Sequence, residues 1–380
     1  MPTVSASSTV AAQRNHANEE APRLGLIDRF LPVWMFAAIG LGILLGRLFP
    51  GLDDVLDRVQ IAGVSLPIAF GLFWMMYPVL AKVKYGTLGK FASNGKLLSL
   101  SITLNWVIGP LLMFALAWAF LPDEPAYRTG LILIGLARCI AMVLIWNQLA
   151  CGDGEVAAVL VAINSLFQIL MYTVLGWLFL TVIPGWFGAD STALDVSMWD
   201  IAVNVLIFLG IPLLAGALTR ITLVRNRGEQ WYEHTFLPKI GPTALLGLLY
   251  TIVIMFSLQG DRIVELPLDV LRISMPLLAY FLIMFGIAFM WAWKLGFTYQ
   301  ETTAIAFTAA GNNFELAIAV AIGVFGISSG EAIAGVVGPL IEVPALIALV
   351  YVALWLRKRL FSPEQGGSES SQTLADSRSL

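Results

Sequence analysis

Gly135-Leu136-Ala137-Arg138-Cys139-Ile140-Ala141-Met142 sets a guanidinium beside a thiol in the middle of a run, Thr129 to Gln148, that is otherwise apolar enough to cross a bilayer as a helix. A charge at that depth is costly, so it marks a buried partner, a water-filled cavity or a transport pathway. The rest of the chain supports a membrane setting. Of its 380 residues 58% are hydrophobic and 12% charged, with a mean hydropathy of +0.83, where soluble chains carry roughly 25% charge. Soluble enzymes are excluded first. The net charge of −3, from 22 basic and 25 acidic residues, is too balanced for a nucleic-acid footprint. Two cysteines and two histidines exclude a disulfide framework and leave too few ligands for zinc, haem or iron–sulfur centres, so no cofactor is expected.

Ten apolar segments reach spanning length: Leu31 to Phe49, Ile61 to Leu80, Leu97 to Phe120, Thr129 to Gln148, Val156 to Ile183, Ile201 to Thr219, Gly241 to Leu258, Ile273 to Trp293, Thr302 to Ile327 and Ala332 to Leu356. The expected fold is therefore all-α and polytopic, with ten transmembrane helices. Residues 1–24 and 361–380 are polar and read as disordered cytoplasmic tails, the first without the apolar core of a signal peptide. With both termini inside, sixteen of the 22 lysines and arginines fall on the cytoplasmic side, and Arg138 lies within a span. That distribution predicts a multi-pass protein of the cytoplasmic membrane, with tryptophans such as Trp118, Trp186 and Trp355 at the span ends as interfacial anchors.

The ten segments divide five and five about an extracytoplasmic linker, 184–200. An odd number per half inserts the second half (201–360) upside down relative to the first (25–183), which predicts inverted five-helix repeats. Faint self-similarity agrees: Leu41-Gly42-Ile43 is echoed by Leu209-Gly210-Ile211, and Pro110-Leu111-Leu112 by Pro276-Leu277-Leu278, at offsets of 168 and 166. Inverted repeats point to alternating access, with substrate held near the midplane by interrupted helices.

Few polar residues lie at that depth. Span 9 carries Ala309-Ala310-Gly311-Asn312-Asn313-Phe314-Glu315, span 10 carries Glu342 between Pro339 and Pro344, span 3 carries Asn105 beside Trp106, and span 5 carries Asn164 and Gln168. Gly311-Asn312-Asn313 has poor helix propensity and amides able to bond locally, which suits an unwound stretch. Asn312 and Glu315, three apart, would share a face of any helix continuing through them. Asn105, Asn164 and Gln168 also suit plain helix-to-helix hydrogen bonding. Cys139 alone would read as packing, but an adjacent guanidinium favours the thiolate, the form of sulfur that binds metalloids. Cys151, in the loop with Gly152-Asp153-Gly154, reads as incidental. One positive charge, Arg138, faces two carboxyls, Glu315 and Glu342; one is expected to pair with it, and the other to take up a proton or small cation, which couples transport to ion movement.

Gly71-Leu72-Phe73-Trp74-Met75-Met76-Tyr77-Pro78-Val79-Leu80, Leu104-Asn105-Trp106-Val107-Ile108-Gly109-Pro110, the stretch around Arg138-Cys139 and Gly311 to Glu315 together resemble the arsenite efflux permeases of the arsenical-resistance type, within the bile acid:sodium symporter superfamily. The resemblance runs from Leu31 to Leu356. It implies interrupted, crossing helices 4 and 9 and export of trivalent arsenic coupled to proton entry. The family's essential thiol falls on Cys139, where arsenic is substrate and not cofactor, and its essential carboxylate on Glu315. The expected substrate-binding set is Cys139, Glu315, Arg138, Asn105, Trp106, Asn312 and Asn313, with Glu315 and Glu342 coupling the ion. Expected partners are arsenite or antimonite, protons, membrane lipid and a soluble arsenic-delivering protein or ATPase, and no nucleic acid. The rival within transporters is a sodium-coupled organic-anion symporter, which needs several sodium-ligating oxygens and has no use for Cys139. An intramembrane enzyme is disfavoured, since His16 and His234 lie in the tail and a loop and no His-Glu-x-x-His occurs.

Overall fold

The computed structural model describes residues 30–49, 51, 59–61, 64–83, 94–186 and 197–361, and the fold lies within Pro32–Leu380. The two tails and most of the linker expected at 184–200 fall outside the described residues. The chain runs as helices α1 Pro32–Leu48, α2 Leu66–Ala81, α3 Gly95–Phe120, α4 Pro125–Leu136, α5 Met142–Leu149, α6 Gly154–Trp186, α7 Met198–Arg227, α8 (229–240), α9 Thr243–Glu265, α10 Pro267–Lys294, α11 Tyr299–Ala310, α12 Phe314–Phe325 and α13 Gly330–Leu360. Each of the ten apolar segments overlaps helical structure. Among the described residues six stretches are long and apolar enough to cross a membrane: α3, α6, α7, Glu229–Gln259 (α8 and most of α9), α10 and α13. The protein is an all-helical, multi-pass membrane protein. One correction concerns span 2: its helix begins at Leu66, because Gln60–Ile61 and Val64–Ser65 form a small antiparallel pair, β1 and β2, and Pro67 then opens α2.

Helix ends follow side-chain chemistry. Asp153 Oδ1 accepts from the Glu155 and Val156 amides (2.8 and 3.0 Å) to start α6, and Thr298 with Glu301 forms a reciprocal capping box on α11. Ser197 and Ser329 cap α7 and α13 in the same way. Inside the helices, four prolines leave a common mark. Two residues before Pro110, Pro184, Pro212 and Pro238 a five-residue wide turn ends, closed by amides of Gly109, Ile183, Ile211 and Leu237 that donate to carbonyls five residues back. A proline ring clashes with the carbonyl four residues earlier and offers no N–H, and widening the preceding turn relieves both faults. The turn at Leu104–Ile108 is the one that holds Asn105 and Trp106.

The helices pack in two groups. α2 lies against α9 and the C-terminal part of α7, and α1 joins them where Gly42 and Gly46 let it approach Val253, Phe256 and Ser257 of α9. In the second group α10 packs on α11, α13 and α3, α13 also covers α4 and α12, and α6 packs on α11 and the start of α7.

Candidate functional site

Two helices of the second group are broken at their middles. α4 stops at Leu136 and resumes as α5 at Met142; α11 stops at Ala310 and resumes as α12 at Phe314. The intervening stretches are extended and lie antiparallel, pairing Arg138 with Asn312. The Cys139 amide donates to the Gly311 carbonyl (3.3 Å), and the Asn313 amide to the Ala137 carbonyl (3.1 Å). Breaking a helix leaves backbone groups without partners, and away from water each must find one. The polar residues of the sequence supply them. Asn312 Nδ2 donates to the carbonyls of Ile134 (2.7 Å) and Ala137 (3.2 Å) at the end of α4. Asn313 Oδ1 accepts from the Leu316 amide (3.0 Å) at the start of α12. Gln168 Oε1, from α6, accepts from the Arg138 amide. Gly311 eases the close approach: a Cβ there would lie 3.0 Å from Cys139 Cβ and 3.3 Å from the Phe307 carbonyl oxygen, a tight fit.

The extended backbone also explains where Arg138 and Cys139 go. Successive side chains of an extended segment leave on opposite sides, so the two neighbours diverge. Arg138 is fully buried; its Nη1 donates to the Tyr280 hydroxyl on α10 (2.9 Å) and to the Ala309 carbonyl (3.4 Å), beside Gly109 of α3. Among the described residues it forms no ion pair, so the expected pairing with Glu315 or Glu342 is not what the structure contains. Its Nε and Nη2 are without a hydrogen-bond partner. Cys139 leaves on the other side, where its sulfur accepts from the Val143 amide (3.3 Å) in the first turn of α5. The donor to the thiol is thus a helix N-terminus, and not the guanidinium next to it in sequence.

Cys139 opens on a small pocket lined by Ile140, Ala141 and Met142, which follow it in the chain, by Asn312, Asn313 and Glu315 at the second break and the start of α12, and by Met75 and Met76 of α2. Four of the expected substrate residues therefore meet: Cys139, Asn312, Asn313 and Glu315. Asn312 and Glu315 do so across the junction of strand and helix, not along one helical face, since α12 begins only at Phe314. Glu342 lies just behind, buried, against the Asn312 backbone amide, with its Oε1 unpartnered.

Arg138, Asn105 and Trp106 do not line the pocket. Asn105 donates to Ser101 and accepts from Asn164 Nδ2 (3.3 Å), whose Oδ1 accepts from Trp106 Nε1 (3.2 Å), a network that ties α3 to α6. Cys151 sits half-buried in the loop after α5, in a left-handed backbone conformation (φ 55°), away from the pocket. The pair Met75-Met76 and Tyr280 are the participants that residue-by-residue reading missed. Methionine in an apolar helix carries no polarity signal, and Tyr280 announces itself only once Arg138 is placed.

Known proteins resemble this chain over most of its length. The model of the Sodium Bile acid symporter family matches residues 69–266. The chain is 53% identical over 339 residues to the Arsenical-resistance protein Acr3 of Corynebacterium glutamicum, covering 89% of this chain and 92% of that one. It is 33% identical over 357 residues to the Arsenical-resistance protein Acr3 of Alkaliphilus metalliredigens, covering 91% and 96%, and 36% identical over 361 residues to an uncharacterized transporter of Synechocystis, covering 89% and 92%. The chain belongs to the Acr3 group of the sodium bile acid symporter family.

Proposed function

We propose that this protein exports trivalent arsenite from the cytoplasm by alternating access, as a proton antiporter, with antimonite as a second substrate. The observation that carries the reading is the pocket itself: one thiol, two amides and one carboxyl converge where two broken helices cross. Arsenite at neutral pH is a small uncharged trihydroxide whose arsenic centre prefers sulfur and whose hydroxyls prefer amide and carboxyl partners. The Cys139 thiol can replace one hydroxide: the S–H and one As–O bond break, an S–As bond forms, and proton and hydroxide leave together as water. One thiol gives an attachment that can reverse, whereas a site that binds too firmly cannot pass its substrate on.

Glu315 lines the pocket and Glu342 stands behind it, and among the described residues neither has a cationic partner. An unpaired charge at this depth is costly, so the carboxyls exchange a proton as the site passes between access states. In this reading ten spans form two inverted five-helix repeats, 25–183 and 201–360, joined by an extracytoplasmic linker at 184–200, with cytoplasmic tails at 1–24 and 361–380. Arg138 and the Asn105–Trp106 network support the crossing from behind. The sodium-coupled organic-anion alternative draws on the family name, yet a thiol serves no purpose in it.

Uptake into everted membrane vesicles, where export becomes accumulation, tests the reading. An imposed proton gradient should drive arsenite and not taurocholate, and Glu315→Gln should stop gradient-driven accumulation. Accumulation of taurocholate driven by sodium, with no movement of arsenite, would overturn it; full proton-driven transport by Glu315→Gln would move the proton site to Glu342.

A further inference from the structure

We infer that Met75 and Met76, which line the same pocket as Cys139, supply soft sulfur contacts to the bound metalloid and so set the preference among trivalent metalloids. The inference rests on the reading of the pocket as an arsenite site. Both residues lie on α2, are 2% and 1% exposed, and line the pocket together with the thiol and the amides. Their position is fixed from behind. A Cβ on Gly247 of α9 would come within 2.6 Å of the Met75 backbone nitrogen, and one on Gly71 within 2.5 Å of Thr251 Oγ1, so α2 and α9 touch backbone to backbone at the depth of the pocket.

The donors around the pocket are segregated by softness. Oxygen and nitrogen groups (Asn312, Asn313, Glu315) come from the second break and suit the hydroxyls. Sulfur comes from Cys139 at the first break and from the two thioether residues of α2. A thioether is neutral and has no proton to exchange, so it cannot displace a hydroxide from arsenic. It can lie against the polarizable centre and favour a soft metalloid over a hard trihydroxide such as boric acid. Contact without a bond also leaves the single Cys139 linkage as the only one that must break on release. The bland role of methionine is to fill an irregular gap, and leucine of nearly equal volume would fill it equally well.

Met75→Leu, Met76→Leu and the double variant, assayed in everted vesicles with arsenite and antimonite, separate the two. The softer antimony should suffer more: KM for antimonite rises about tenfold in the double variant and KM for arsenite about threefold, with kcat and the amount of inserted protein unchanged. KM values unchanged for both metalloids in the double variant would overturn the inference and leave the transport reading intact. An equal rise for both, together with a lower melting temperature, would assign the pair to packing and also overturn it. Failure of the unmodified protein to move either metalloid would instead sink the transport reading beneath it.

Discussion

Replacing Gly311 by alanine probes the crossing with one methyl group. Gly311 has φ −72° and ψ 143°, a conformation alanine adopts freely, so no backbone strain enters. The new Cβ would lie 3.0 Å from Cys139 Cβ and 3.6 Å from its sulfur, where carbon–carbon contacts are optimal at about 3.5–4.0 Å. The strand carrying Cys139 must therefore give way by a few tenths of an ångström. Overpacking of this kind costs about 1–3 kcal/mol, offset by about 0.4–1 kcal/mol from the reduced freedom of the unfolded chain. The protein should fold with a modestly lowered melting temperature. Function should suffer more than stability, because a 1 Å misplacement of a reacting group can cost about a hundredfold; arsenite accumulation in everted vesicles should fall about tenfold. Gly286→Ala on α10, where a Cβ meets nothing within 4 Å, is the control and should transport normally. Wild-type transport and wild-type reactivity of Cys139 toward maleimide in Gly311→Ala would refute the claim that the crossing sets the position of the thiol.

Cys139→Ser should abolish arsenite export while leaving insertion intact, since oxygen cannot replace a soft sulfur ligand, and Cys151→Ser should be nearly silent; equal resistance in cells carrying either variant would reduce Cys139 to packing. At the far end of the bundle Arg272 pairs with Asp123 (2.7 Å) and Glu124 (3.0 Å) and holds the Asp123 carboxyl below its ordinary value. A depressed carboxyl stabilises the fold above its unfolded pKa, and that contribution is lost as pH falls through the folded one; Arg272→Ala should melt below wild type at pH 7, with the gap closing below about pH 4, and a gap that persists in acid would point to packing instead. A single cysteine at Ser191 should react with an impermeant maleimide in intact cells, and reaction only after permeabilisation would reverse the orientation.

Much of the site was legible because membrane depth makes polarity expensive. Glu315, Glu342 and the amides stood out against apolar spans, and Gly311-Asn312-Asn313 announced a helix break through poor propensity. The matching break at Ala137–Ala141 could not be read the same way, because Leu136, Ala137 and Arg138 are good helix formers; there the crossing partner, not local sequence, decides the backbone. For that reason adjacency misled. On the extended strand Arg138 turns to Tyr280 while Val143 serves the sulfur. The wide turns before Pro110, Pro184, Pro212 and Pro238 follow from ring sterics and shift every later side chain around the helix axis, which periodicity alone cannot anticipate. Met75 and Met76 carry no charge or polarity that would place them in a pocket.

If arsenic binds to the Cys139 sulfur where the two broken helices meet, sulfur must enter the ligand shell of the metalloid. X-ray absorption at the arsenic edge, on purified protein mixed with stoichiometric arsenite, measures that ligand shell without recourse to transport. One sulfur and two oxygens per arsenic are expected in the unmodified protein, and oxygens alone in Cys139→Ser. An all-oxygen shell in the unmodified protein, or a sulfur shell that survives Cys139→Ser, would contradict the account.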